Sequence, residues 1–189
     1  MLSNNKNLIA VIGATGQQGG GVLRALKARG QFKVRALSRN PDKHRDLAEE
    51  VVKADLNRPE TLQAAFEGAY GVFLVTNNWE EGTDELKQAT AAVRAARNTG
   101  VKHLIWSTLP DVEAISGGKF NVPHFTGKAK IDRMCRKPGL LTIRSSSRRS
   151  TTGTLRAFWL RKSRQTDPWA GPFLLIQLCG SFTWATSPN

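Results

Sequence analysis

Cysteine is scarce in this 189-residue chain: Cys135 and Cys179 are the only two, without metal-ligand spacing. A disulfide framework is thereby excluded, a reducing compartment fits, and no metal site is expected. The sequence has no run of eighteen apolar residues and no charged-then-apolar leader, so neither a membrane span nor a secretory signal is expected. The expected compartment is the cytoplasm, with the nucleus also open. Tyrosine occurs once, at Tyr70. Acidic residues are few beside basic ones, 15 against 28, for a formal net charge of +13. Such an excess attracts phosphates and often marks a nucleic-acid binder. Here it is diffuse. Through Ser146 there are 22 basic and 14 acidic residues, and from Ser147 onward 6 and 1, with no aromatic-interleaved basic stripe. Direct nucleic-acid binding is not expected, and a solvated basic surface accounts for the charge.

What the chain does have is a regular alternation of strand and helix signals. Residues 8–12, "LIAVI", form an apolar run of strand length, and "VLRALKARG" puts Val22, Leu23, Ala25 and Leu26 on one helical face. "FKVRALS" (32–38) reads as a second strand. "NPDKHRDLAEE" (40–50) then reads as a short helix capped by Asn40 with Pro41 in its first turn. "VVKADL" (51–56) is a third strand, "RPETLQAAFEG" (58–68) a helix, "GVFLVT" (71–76) a fourth strand, "DELKQATAAVRAARNTG" (84–100) a long helix and "KHLIWST" (102–108) a fifth strand. Strands separated by helices call for parallel pairing with right-handed crossovers, hence an α/β, doubly wound parallel sheet in one domain. Ligands of such sheets sit at the carboxyl ends of the strands. That rim would carry Gly13, Arg39, Asp55, Thr76 and Ser107.

The first strand runs directly into "IGATGQQGG", with Gly13, Gly16 and Gly19 spaced three apart. Glycines at a strand-to-helix junction either make a tight packing turn or let a diphosphate approach the backbone and the positive end of the helix. The strand-loop-helix context favours the cradle. The end of the second strand indicates which dinucleotide. "SRNPDK" supplies Arg39 and Lys43 with no carboxylate before Asp42, which suits an adenosine 2′-phosphate rather than a free ribose hydroxyl. The cofactor expected is NADP(H).

Four stretches, "VIGATGQQGG", "FKVRALSRNP", "VTNNWEE" and "VPHFTGKAKID", together resemble the NmrA-like family of atypical short-chain dehydrogenases, and within it the NADP(H) redox sensors. The resemblance spans about residues 6–146. It implies a Rossmann fold with NADP(H) held by the glycine loop (Gly13, Ala14, Thr15, Gly16, Gln17, Gln18 and Gly19), by Arg39, Asn40 and Lys43, by Asp55 and Leu56, by Thr76 and Asn77, and by Lys87 and Lys128. It also implies either a regulatory protein partner engaged according to cofactor state, or a small-molecule acceptor of the quinone kind. A homodimer is left open.

The catalytic pattern of the wider superfamily, Tyr-x-x-x-Lys, is missing. Tyr70 precedes the fourth strand, and "HFTGK" (124–128) stands where the motif would be. His124 is the candidate proton carrier, with Ser107 at the end of the fifth strand beside it, because imidazole titrates near neutrality. A structural or partner-contacting histidine is the alternative. Lys128 is expected to hold the cofactor ribose. These departures favour a sensor over an enzyme.

After "GLLTIRSS" (139–146), a sixth strand, the alternation stops. Residues 147–189 form a basic tail rich in Ser and Arg that holds three of the five tryptophans, and it is expected to be irregular. The family resemblance implies a second lobe here instead. Permitted codons for residues 163–173, read from the third base of the first, give Pro-Ala-Asp-Gly-Ser-Leu-Gly-Trp-Ala-Leu, similar to a segment the family carries. The same operation on residues 146–152 gives Phe-Gln-Glu-Ile-Asn-Asp. The expectation is that the chain beyond about Ser146 is out of frame, leaving residues 1–146 as the dinucleotide-binding domain.

Overall fold

The computed structural model describes residues 6–77, 80–135, 141–149, 155–160 and 176–178. Its centre is a sheet in the order β3-β2-β1-β4-β5-β6-β7-β8. The strands are β1 (Leu8–Val11), β2 (Lys33–Ser38), β3 (Glu50–Lys53), β4 (Gly71–Leu74), β5 (His103–Thr108), β6 (Leu141–Arg149), β7 (Leu155–Leu160) and β8 (Ile176–Leu178). β1 pairs in parallel with both β2 and β4, Ile9 lying opposite Val34 on one side and Gly71 on the other. The chain thus winds outward in one direction through β2 and β3, then returns past β1 to β4, β5 and β6. Between β1 and β4 the order reverses, which is where such sheets open a crevice.

Side-chain alternation along these strands builds two cores. Ala10, Ile12, Val72, Leu74, Leu104 and Trp106 join Leu62 and Phe66 of α2 (Glu60–Phe66), Ala92, Val93 and Ala96 of α3 (Glu85–Asn98) and Ile131 of α5 (Pro123–Cys135). The opposite face, with Ile9, Val11, Val34, Ala36 and Phe73, is covered by Val22, Leu23 and Leu26 of α1 (Gln17–Arg29). All four residues of β4 are buried, as a strand covered on both faces must be. The alanines of α3 let that helix lie close on the sheet: Ala89, Ala92 and Ala96 are fully buried. A one-turn helix, α4 (Val112–Ile115), completes the set.

One expectation about local structure requires revision. Residues 40–50 make a single 3-10 turn, Pro41–His44, and Glu50 already belongs to β3. That turn has no buried residue to anchor a longer helix, and Asn40 does not cap it by its side chain. Instead the Asn40 amide donates to Ser38 Oγ at 3.1 Å. β6 continues in register with β5 to Thr108 opposite Ser146 and runs on to Arg149, where it pairs antiparallel with β7, which pairs antiparallel with β8. Within 147–189 the described residues are the end of β6, β7 ("LRAFWL") and the three residues of β8 ("IQL"). The rest of 147–189, Cys179 included, lies outside the described residues.

Candidate functional site

The loop after β1 is shaped by backbone contacts that only glycine permits. Gly13 sits at φ +67, and a Cβ there would lie 2.8 Å from Val75 Cγ1. At Gly19, a Cβ would lie 2.2 Å from the Gly13 carbonyl oxygen and 2.7 Å from that of Ile12, so α1 rests directly on the end of β1. Gly16 occupies the N-cap of α1 in extended conformation, and its amide donates to the Gly13 carbonyl at 2.9 Å. No side chain caps this helix, and its first turn contains no acidic residue. The helix start thus presents backbone N–H groups and a positive pole at the rim of the sheet. The loop fits a diphosphate: Thr15, Gly16 and Gln17 are exposed and Gly13 half-buried, whereas Ala14 is buried in the core under α1.

The next strand ends supply charge. Arg39, just past β2, is exposed and forms an ion pair with Glu80 from the connection between β4 and α3. The carboxylate raises the guanidinium's pKa by hydrogen bonding and by its charge. Asn40 and Lys43 are exposed on the adjacent turn, where the Lys43 amide donates to the Asn40 carbonyl at 3.2 Å. Asp55 follows β3 and folds an Asx turn, its Oδ1 accepting from the Asn57 amide at 2.9 Å. Leu56 packs against the larger core.

Thr76 and Lys128 meet in a buried network. Lys128 Nζ, from the middle of α5, donates to Glu85 Oε1 at 2.6 Å, to Thr76 Oγ1 at 3.0 Å and to the Thr76 carbonyl at 3.3 Å. The Thr76 hydroxyl donates to the same Glu85 oxygen at 2.6 Å, and the ammonium lies 4.9 Å from the ring centroid of Trp106. An ammonium has three N–H donors, and these three acceptors account for all of them. Burial lowers the Lys128 pKa, and Glu85 opposes that shift. The expected ribose holder is thus committed to Glu85, and a ribose would have to share or displace that pairing. Sequence reasoning missed Glu85 and Trp106, because the partners lie 43 residues apart and meet only through the crossover.

The remaining candidates are spread over the rim. Ser107 is buried and donates to Gln18 Oε1 at 2.6 Å, fastening the end of β5 to the first turn of α1. His124 is half-buried in the first turn of α5, with its ring edge-on to Phe125 at 4.8 Å between centroids. Asn77 is exposed just past Thr76. Lys87 is exposed and pairs with Asp84 at 3.3 Å at the start of its own helix. Tyr70 lies at the opposite end of the sheet: its carbonyl accepts from the amides of Lys102 and His103 at the start of β5, and its ring stacks on His103. The single phenol is therefore remote from the rim. Among the described residues no group of three His, Cys, Asp or Glu side chains could hold a metal ion, and no helix is long and apolar enough to cross a membrane.

A doubly wound sheet with a glycine loop at its first βα junction defines a Rossmann-type nucleotide-binding protein. The chain belongs to the NmrA-like family, whose model matches residues 5–156. It is 42% identical over 143 residues to the NmrA-like family domain-containing oxidoreductase FrzB of Cladobotryum sp, covering 70% of this chain and 43% of that protein. Among solved structures it resembles Citrobacter sp. triphenylmethane reductase complexed with NADP(H), at 28% identity and TM-score 0.60, covering 75% of this chain and 48% of the other. It also resembles NmrA, a negative transcriptional regulator, at 27% identity and TM-score 0.65, with 75% and 45% covered. The chain spans less than half the length of these relatives.

Proposed function

We propose that this chain binds NADP(H) and reports its cofactor state to a protein partner, without robust catalysis of its own. The observation that carries the reading is the pairing of a bare glycine loop at the start of α1 with Arg39 on the neighbouring strand end. The loop amides would hold the diphosphate, and Arg39 with Lys43 would take the 2′-phosphate through charge-assisted hydrogen bonds. The reporting mechanism is linkage: a cofactor that prefers one conformation shifts the population by its differential affinity and by no more. The similar protein NmrA, a negative transcriptional regulator, supports the partner-binding half of this proposal.

A second reading, an NADPH-dependent reductase of quinone-like acceptors, is favoured by the oxidoreductase name of the Cladobotryum relative and by the triphenylmethane reductase neighbour. When bound, the nicotinamide would supply hydride. His124, half-buried in the first turn of α5, would provide a proton to the acceptor, since Tyr70 stands at the wrong end of the sheet. Fluorescence titration of the purified protein with NADPH and NADH, followed by a quinone panel, separates the two. Saturable NADPH binding without turnover, lost in Arg39→Glu, supports the sensor. Sustained NADPH consumption that falls in His124→Ala supports the reductase, and a preference for NADH refutes the assignment of Arg39.

A further inference from the structure

Arg39 does not face solvent alone. Glu80, 41 residues further along the chain, holds its Nη1, and Asp55 adds a second negative charge nearby. Lys43, the other cation expected at a 2′-phosphate, carries no acidic neighbour that would play the same part on its own turn except Asp42, which is already paired with Arg45 at 2.5 Å. A phosphate monoester at neutral pH is close to dianionic and offers three acceptor oxygens that suit the planar fork of a guanidinium. To reach that fork it must displace the Glu80 carboxylate or accept it as a like-charged neighbour. A dinucleotide without the 2′-phosphate meets no such conflict.

Resting on the NADP(H) reading above, we propose that Glu80 is a specificity-determining residue, a resident carboxylate that competes with the 2′-phosphate for Arg39. It weakens NADPH binding selectively and so sets the ratio by which the site prefers NADPH over NADH. Both partners are well exposed, 59% for Arg39 and 43% for Glu80. The pair is therefore readily opened, and Glu80 acts as a tuning residue rather than a block.

The test compares Glu80→Gln with Glu81→Gln, which removes the same charge from the next residue, by titrating each protein and the unsubstituted chain with NADPH and NADH. Glu80→Gln is expected to tighten NADPH by roughly three- to tenfold, while NADH changes by less than about twofold and Glu81→Gln leaves both nearly unaltered. With NADPH still bound by the unsubstituted chain, three results overturn the inference alone: no change in Glu80→Gln, weaker NADPH binding in Glu80→Gln, or an equal gain in Glu81→Gln. An unsubstituted chain that binds neither dinucleotide, or prefers NADH, removes the underlying reading and this inference together.

Discussion

A methyl group added at Gly19 has nowhere to go. It would lie 2.2 Å from the Gly13 carbonyl oxygen, 2.5 Å from that residue's carbonyl carbon and 2.7 Å from the Ile12 oxygen, all main-chain atoms. None can rotate aside, so α1 must lift from the end of β1. Overpacking of this kind costs about 1–3 kcal/mol, and rigid backbone on three sides places Gly19→Ala at the upper end. Replacing a helical glycine by alanine returns about 1 kcal/mol through backbone entropy, leaving a net loss of roughly 2 kcal/mol. For a domain of this size that lowers the melting temperature by about 4–8 °C. Gly127 in α5 supplies the control, because a Cβ there meets nothing within 4 Å. Gly127→Ala keeps only the entropic gain and should stabilise by about 0.5–1 kcal/mol. Thermal melts followed by circular dichroism read both changes. If Gly19→Ala melts at or above the unsubstituted protein, the close helix-to-strand approach on which the cradle depends is refuted.

Other consequences can be checked as directly. Glu85→Gln strands the Lys128 ammonium in a buried site and should destabilise the fold by about 3–5 kcal/mol in urea titrations near pH 7. Lys128 has its pKa lowered below 10.5 by burial, so the unfolded chain holds that proton to higher pH than the folded one. Stability must then rise with pH through that window, and the deficit of Glu85→Gln should shrink toward pH 10.5; a deficit that grows with pH contradicts the assignment. Cys135 is buried, and desolvation followed by Asp132 pushes its thiol up to about 12. In a Cys179→Ser background, a thiol reagent at pH 8 should label it only after denaturant is added, and rapid native labelling would refute the burial. Finally, the proposed change of reading frame near Ser146 predicts that the coding DNA, read one base displaced, continues the family sequence. Codons that yield no such continuation end that idea.

The parallel sheet was legible because its strands and helices alternate with different periods, and because Gly13, Gly16 and Gly19 fall at the first junction. Val22, Leu23, Ala25 and Leu26 were read as the buried face of α1, and they are buried. The stretch 40–50 was misread because a cap and a proline announce a helix start, but no apolar stripe follows to sustain one. What could not be read was which side chains the crossovers bring together. Glu80 lies within "VTNNWEE", and nothing local in that stretch places it against Arg39. Position along the rim suggests that Ser107 lies near His124, but not that its hydroxyl reaches Gln18, 89 residues earlier. Periodicity reports which face is apolar; it carries no information about pairs between faces.

The candidate rim residues, from Gly13 to Lys128, all come from the stretch that follows β1 and carries β2 to β5. Synthesis from the amino end therefore delivers all of these candidate residues before anything beyond α5 leaves the ribosome, and folding of amino-terminal units during translation is common. On the proposed reading, a nascent chain meets its dinucleotide while still tethered, and the metabolite acts as a template for the sheet, stabilising it with the logarithm of the surrounding concentration.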